Sequence, residues 1–189
     1  YEAVAAALNV NLATGTASGD GTDALFEIEN ICAGSGNDTL IGNSVSNDIE
    51  GGSGNDTIDA GTGDDTVNAD AGDDVVYAGD GNDEIHGGAG NDVIVGGAGN
   101  DAILGNQGDD SILAGDGDEN VQSGQGDDIV EGGDGTDNID GGSTGNDTIT
   151  GGAGIDVITG GTGADVITGG TGADVIQFAT VLVGVATAG

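Results

Sequence analysis

The chain has 189 residues, which sets one domain as the expectation, but its composition is far from that of an ordinary globular domain. It holds 43 Gly and 35 Asp+Glu with no Lys, Arg, Pro, Met or Trp, for a formal charge of −35. That balance excludes nucleic-acid binding, which needs basic side chains on phosphates, and anionic membrane surfaces should repel the chain. With no Lys or Arg to pair against, a compact fold needs counter-charge from outside, and metal cations are the obvious supply. High charge with few large apolar residues otherwise reads as disorder, so order has to be argued from pattern.

The single cysteine, Cys32, excludes an internal disulfide and is expected to pack as a small apolar residue at a strand end. No positively charged n-region is present, so no secretory signal peptide is expected. No apolar run approaches about 18 residues, so no membrane-inserting segment is expected. Tyr1 in place of Met predicts a processed product or a fragment.

Residues 1–32 differ from the rest of the chain and predict an N-terminal cap. Glu2–Leu8 fits a short helix or a strand, Asn9-Val10-Asn11-Leu12 alternates as a strand, and Ala13–Asp23 reads as a loop. Alternation resumes over Leu25–Ile31, with Phe26, Ile28 and Cys32 set against Glu27 and Glu29. A stacked array needs such an atypical end, because a bare terminal repeat exposes core and unpaired backbone.

From Ala33 to Gln177 the chain repeats with a nine-residue period, in sixteen units. One copy is Gly87–Val95, Gly-Gly-Ala-Gly-Asn-Asp-Val-Ile-Val. Only Gly141–Thr150 has ten residues; its extra residue lies in the glycine half, so the strand half keeps its phase. Column eight holds a branched aliphatic in all sixteen units, from Leu40 through Ile94 to Ile176, a regularity that disorder would not keep. Columns one to five predict a glycine turn, and columns seven to nine a three-residue strand with column eight inward. Two units make one coil of about 18 residues, and stacked coils give two parallel sheets at about 4.8 Å spacing. The fold class is therefore all-β: a parallel β-roll, or β-solenoid, with two short-strand parallel sheets. Its sixteen units give eight coils, a rod about 38 Å long at that spacing. The column-eight seam alone is too thin to offset chain ordering and charge repulsion.

Column six supplies the chemistry. It reads Asp38, Asp56, Asp65, Asp74, Asp83, Asp92, Asp101, Asp110, Glu119, Asp128, Asp137, Asp147, Asp156, Asp165 and Asp174, with Asn47 the exception. Stacking brings these carboxylates near one another in successive turns, a row of like charge that a hard divalent cation would reverse. Carboxylates and glycine-turn carbonyls offer oxygen donors in flexible geometry, which suits Ca²⁺; Mg²⁺ demands tight octahedra and keeps its waters. His and thiolate clusters for zinc are absent. One ion for each of the fourteen Asp residues would bring up to about 28 positive charges against the 35 negative.

The unit resembles the calcium-binding nonapeptide repeat of RTX proteins, Gly-Gly-x-Gly-x-Asp-x-U-x, over Ala33–Gln177. The resemblance implies a parallel β-roll with Ca²⁺ in its glycine-rich turns. It further implies secretion from a Gram-negative bacterium, typically by a type I system, in an unfolded calcium-free state. The segment Gly21–Ile31 also looks like the lead-in that precedes such repeats in large surface proteins. Some units depart from the pattern. Gly42–Glu50 lacks the glycines and carries Asn47, so it predicts no full site, and the longer arm of Glu119 changes the geometry of its turn. Asp70 and Asn106 replace a second glycine, and column five turns apolar or small at Ile155, Ala164 and Ala173.

Other residues point to less. His86, the only histidine, faces solvent in column nine without the partners that catalysis or metal binding needs. Pairs such as Asp64-Asp65 and Asp127-Asp128 lack the cleft and the two differentiated carboxylates of a glycosidase, so no catalytic residue and no enzyme activity are expected. Thr148, Thr150, Thr159 and Thr168 raise an ice-binding face as a minor alternative, though β-propensity explains them more simply. Val93, Val95 and Leu113 are outward apolar residues expected on one side, with Leu104 on the other. The tail, residues 178–189, is apolar and uncharged; as a cap, docking strand or secretion signal it makes head-to-tail association into a homo-oligomer or fibre an expectation. The leading functional reading is a calcium-stiffened extracellular scaffold of a surface layer, adhesin, matrix or filament. The alternative is the non-catalytic C-terminal part of a secreted enzyme or toxin.

Overall fold

Side chains alternate along an extended chain, so an aspartate at column six and an aliphatic at column eight fall on the same side, and column one falls there too. In the computed structural model, which describes residues 7–19 and 21–178, these three columns face inward and the chain coils around them. No helix occurs among the described residues. The lead-in forms β1 (Asn9–Asn11), β2 (Thr16–Ser18) and β3 (Thr22–Ala24). The coils begin with β4 (Asn30–Ser35), β5 (Thr39–Asn43), β6 (Asp48–Ser53), β7 (Thr57–Thr62) and β8 (Thr66–Ala71). They continue with β9 (Val75–Asp80), β10 (Glu84–Ala89), β11 (Val93–Ala98), β12 (Ala102–Gln107) and β13 (Ser111–Asp116). Next come β14 (Asn120–Gln125), β15 (Ile129–Gly135), β16 (Asn138–Asp140) and β17 (Thr148–Gly154). The last are β18 (Val157–Thr159), β19 (Val166–Gly172) and β20 (Val175–Gln177).

Successive coil strands fall alternately into two sheets, the arrangement the nine-residue period predicts. Odd-numbered strands from β5 to β19 stack in parallel, and β1, β2 and β3 extend their sheet to eleven strands. Even-numbered strands from β4 to β20 form a nine-stranded sheet. Partners are 18 residues apart, as in Ile94↔Ile112 and Ile85↔Ile103. The ten-residue unit shifts the spacing once. Ser143 N–H donates to Gly124 O and Gln125 bridges Thr144, after which Ile129 pairs with Thr148. Ile149 and Asp147 remain buried, so the strand half does keep its phase.

Most coil strands are six residues long rather than three, because pairing runs on from column seven into column three of the next unit. The core gains a column by this. Ala33, Ala60, Ala69, Ala78, Ala114 and Ser123, all in column one, are fully buried beside the column-eight aliphatics. Column eight is buried from Leu40 to Ile158, whereas Ile167 is half-buried and Ile176 is 40% exposed in the last coil. The second glycine of each unit takes positive φ. Asp70 (φ 74) and Asn106 (φ 78) keep that conformation, which short Asx side chains tolerate best after glycine.

The N-terminal region differs from its alternation. The strand over Asn9–Asn11 forms and stacks on β5, and Leu8, Val10 and Ala17 close that end of the core. The expected loop Ala13–Asp23 contains β2 and β3, an antiparallel pair. Leu25–Glu29 is not a strand: Phe26 is 81% exposed, Ile28 is exposed, and Glu27 has φ 54. Residues 25–29 lie beside the turn of the next coil, where Ile28 O and Glu29 O accept from the side chains of Asn43 and Asn47, so alternation there finds no strand to pair with. Asn30–Cys32 already pair in repeat register with Asp48–Glu50, and the Cys32 thiol donates to Glu50 Oε2 at 3.0 Å. Of the helix or strand expected over Glu2–Leu8, only Ala7 and Leu8 are described, and they lie in neither; of the tail 178–189, only Phe178 is described, so the roles expected of the rest fall outside the described residues.

Candidate metal sites

Most turns are closed by two ladders of side chains running in opposite directions. In column six, the backbone N–H donates to the carboxylate Oδ1 one coil later, as from Asp74 to Asp92 at 2.9 Å and from Asp92 to Asp110 at 2.8 Å. In column five, the N–H donates to the side chain one coil earlier, as from Asn91 to Asp73 and from Asp109 to Asn91, both at 2.9 Å. The first ladder is buried and the second exposed. Column five was noted in the sequence only for its departures at Ile155, Ala164 and Ala173, not for this bond. Its Asn and Asp residues look like ordinary turn formers until the coil above is in place.

The column-six ladder uses one carboxylate oxygen only. Oδ2 of Asp38, Asp56, Asp65, Asp74, Asp83, Asp92, Asp101, Asp110, Asp128, Asp137, Asp147 and Asp156 is buried without a hydrogen-bond partner. It leans back over column one: a Cβ on Gly87 would lie 2.6 Å from Asp92 Oδ2, which restricts that column to Gly, Ala and Ser. Asp165 and Asp174 accept the amides of Asp147 and Asp156, but they sit in the last coil and stay half-buried.

A buried carboxylate oxygen with no donor and no basic residue to pair with is costly, and the protonation behaviour records the cost. Burial pushes the pKa of Asp56, Asp65, Asp101 and Asp147 up to about 6, and of Asp74 and Asp110 up to about 7. The donated backbone hydrogen bond pulls each down, and neighbouring carboxylates push up again. Asp83, Asp92, Asp128 and Asp156 are raised as well, again chiefly by burial.

Two turns depart from the series. Asn47 accepts the Asn43 N–H and its own amide donates to Glu29 O, so that turn is satisfied without an ion, in line with its doubtful sequence. Glu119 is 2% exposed and leaves both carboxylate oxygens unpartnered, its extra methylene carrying them off the ladder. Burial and the nearby Asp137, Asp101 and Asp118 push its pKa strongly up. Glu119→Asp is expected to restore the ladder and to raise the calcium-loaded rod's stability by about 1 kcal/mol. A thermal melt in saturating calcium checks this, and an unchanged or lower midpoint counts against it.

A metal ion fits these turns as an oxygen-ligand ion. Among the described residues, no group of three or more His, Cys, Asp or Glu converges on one point. Carboxylates alone therefore cannot fill a coordination sphere, and the remainder falls to backbone carbonyls and water, as a hard cation of flexible geometry accepts. His86 lies 3.5 Å from Glu84 and outside the turns. Thr148, Thr150 and Thr168 line the eleven-stranded sheet and Thr159 the other; on the first sheet they border Ile129, Glu131 and Val166, so no regular two-column threonine array forms.

No helix among the described residues is long and apolar enough to cross a membrane. A comparison with curated proteins found no match. A family model described as RTX calcium-binding nonapeptide repeat (4 copies) matches residues 30–48, 41–76, 50–85, 77–112, 113–144 and 142–176, nearly end to end along the coils. With the parallel β-roll and the unpartnered aspartate oxygens of its turns, this places the chain in the family of calcium-binding RTX nonapeptide-repeat proteins.

Proposed function

We propose that the chain is a calcium-dependent extracellular scaffold, a part of a surface layer, adhesin, matrix or filament, without enzymatic activity. The observation that carries this reading is the buried, unpartnered Oδ2 repeated turn after turn in a chain with no Lys or Arg. In this reading Asp38, Asp56, Asp65, Asp74, Asp83, Asp92, Asp101, Asp110, Glu119, Asp128, Asp137, Asp147, Asp156, Asp165 and Asp174 hold Ca²⁺, with fewer contacts in the last coil. At low cytosolic calcium, repulsion keeps the chain unfolded and exportable from a Gram-negative cell, and head-to-tail contact of folded rods would extend the scaffold.

Outside the cell, sites of the extracellular class, with Kd about 10⁻⁴–10⁻³ M, fill and the rod forms. At tenfold excess over Kd each site contributes about 1.4 kcal/mol, so a dozen supply on the order of 15 kcal/mol. Nearest-neighbour coupling makes the transition steep. Circular dichroism across a calcium titration at neutral pH is expected to show β signal appearing over a narrow calcium range. A full β signal in excess chelator at that pH would overturn the proposal.

A further inference from the structure

The outer faces of the two sheets are not alike. On the eleven-stranded sheet, columns seven and nine place Val75, Tyr77, Val93, Val95, Leu113 and Ile129 side by side across β9 to β15. Val95 pairs with Tyr77 on one side and Leu113 on the other, and Val93 is flanked by Val75 and Ser111, next to Ile129. Tyr77 is 47% exposed and Ile129 58%. The only carboxylates in these columns of that sheet's coil strands are Asp59 and Glu131, which flank the patch. The same columns of the other sheet carry Asp48, Glu50, Glu84 and Asp140. In a chain with 35 acidic residues, an uncharged apolar strip at the middle of one face calls for a cover.

We propose that this cover is a second copy of the chain, docked face to face on the eleven-stranded sheet. The proposal rests on the calcium-folded rod argued above. Three features favour a copy of the same chain. The face is level, because column two beside these side chains is glycine in β7 to β19, so two such faces can stack at the usual sheet separation of about 10 Å.

Size is the second feature. Eight coil strands at about 4.8 Å and six residues at about 3.3 Å give a face of about 38 by 20 Å. Two such faces bury about 1,500 Å² in total, the size of a standard specific interface, with an apolar centre and a polar rim.

Symmetry is the third. A two-fold axis along the strand direction, between β11 and β13, sets β11 against β13 and β9 against β15 with all six residues of each strand overlapped. Val95 then faces Leu113, Val75 faces Ile129, Tyr77 faces Glu131 and Asp59 faces Thr150, so no carboxylate of columns seven and nine opposes another, while Asp80 and Asp134 of column three meet at the rim. The acidic turns still lie alongside one another at the rim, so pairing needs the charge neutralisation that calcium brings.

The test uses the full chain at saturating calcium, with folding followed separately by circular dichroism. Sedimentation and small-angle scattering are expected to give a species of twice the chain mass, with a thicker cross-section and unchanged rod length. Val93→Glu with Val95→Glu is expected to weaken pairing about 100-fold or more while leaving the calcium-induced β signal intact. Both columns already tolerate glutamate, at Glu84 and Glu131. Hydroxyl-radical footprinting of the unsubstituted chain reads the same face independently: Tyr77 is expected to gain protection as protein concentration rises. A folded chain that stays monomeric with Tyr77 unprotected at high concentration overturns the inference, and so does a pair of doubled length. A folded double variant that pairs as tightly as the parent also overturns it. A chain that fails to fold in calcium defeats the scaffold reading instead.

Discussion

Gly90→Val is expected to divide the calcium-folded rod into two parts that melt separately. Gly90 has φ +136, and a Cβ there would sit 1.8 Å from the carbonyl oxygen of Gly72 in the preceding coil. That obstacle is backbone, so no side-chain movement relieves it. Forcing an L-residue into this conformation costs about 1–3 kcal/mol before the clash is counted. Relief by separation pulls on the turn bonds around it, among them Gly90 N–H to Gln107 O at 2.8 Å and Asn91 N–H to Asp73 at 2.9 Å. Each coil is held by its neighbours alone, so one lost junction uncouples the coils on either side.

Column four itself shows when a side chain is allowed. Val45 occupies it without positive φ, in the unit that lies over the non-strand residues 25–29 rather than over another coil. Thermal melts of Gly90→Val in calcium should show two transitions, or one at far lower temperature. A single transition at the parent's midpoint would show that the junction at Gly90 carries no such load.

Acid is expected to replace calcium in part. Asp56, Asp65, Asp101 and Asp147 titrate at about 6 and Asp74 and Asp110 at about 7, against an ordinary carboxylate value near 4. The fold therefore holds these protons more tightly than the unfolded chain does. The stability they contribute is fully present below the unfolded pKa and is lost as pH rises through about 6 to 7. In excess chelator the chain should gain β signal on acidification to about pH 5 and lose it by about pH 8. Calcium must displace the same protons, so its affinity should fall about tenfold for each pH unit below the site pKa, per proton displaced. Circular dichroism in chelator and competition against a calcium indicator measure the two effects. A chain equally unstructured at both pH values, or a calcium affinity unmoved by pH, would contradict this account.

The inward aliphatic column and the stacked aspartates of the turns were legible in the sequence, because each is a chemical class that recurs at one phase; that the aspartates are buried on the aliphatic side was not. Ile94 and Asp92 could be placed before any coordinates. Column one was misread as turn, since Gly and Ala there look like turn residues; only the carboxylate of Asp92 leaning over Gly87 shows that smallness is imposed by a neighbour. The column-five ladder was invisible for a related reason. Asn91 and Asp73 are 18 residues apart, and nothing local marks their contact. At the N-terminus, alternation at Phe26 and Ile28 misled, because alternation signals a buried face only where a sheet exists to bury it.

The constant 18-residue spacing has a consequence for how such a rod can grow in evolution. Every coil closes the same short loop, and closure entropy depends on loop length, not on the length of the whole molecule. Contact separation therefore stays fixed as coils are added, so a longer rod gains no long-range pairings to slow its folding. Duplicating eighteen codons lengthens the rod by one layer at an unchanged conformational cost per layer. The passage at Ser143, where partners stand 19 apart and the core continues, shows that even an imperfect duplication is absorbed. Length is thus the property of this molecule most freely open to selection.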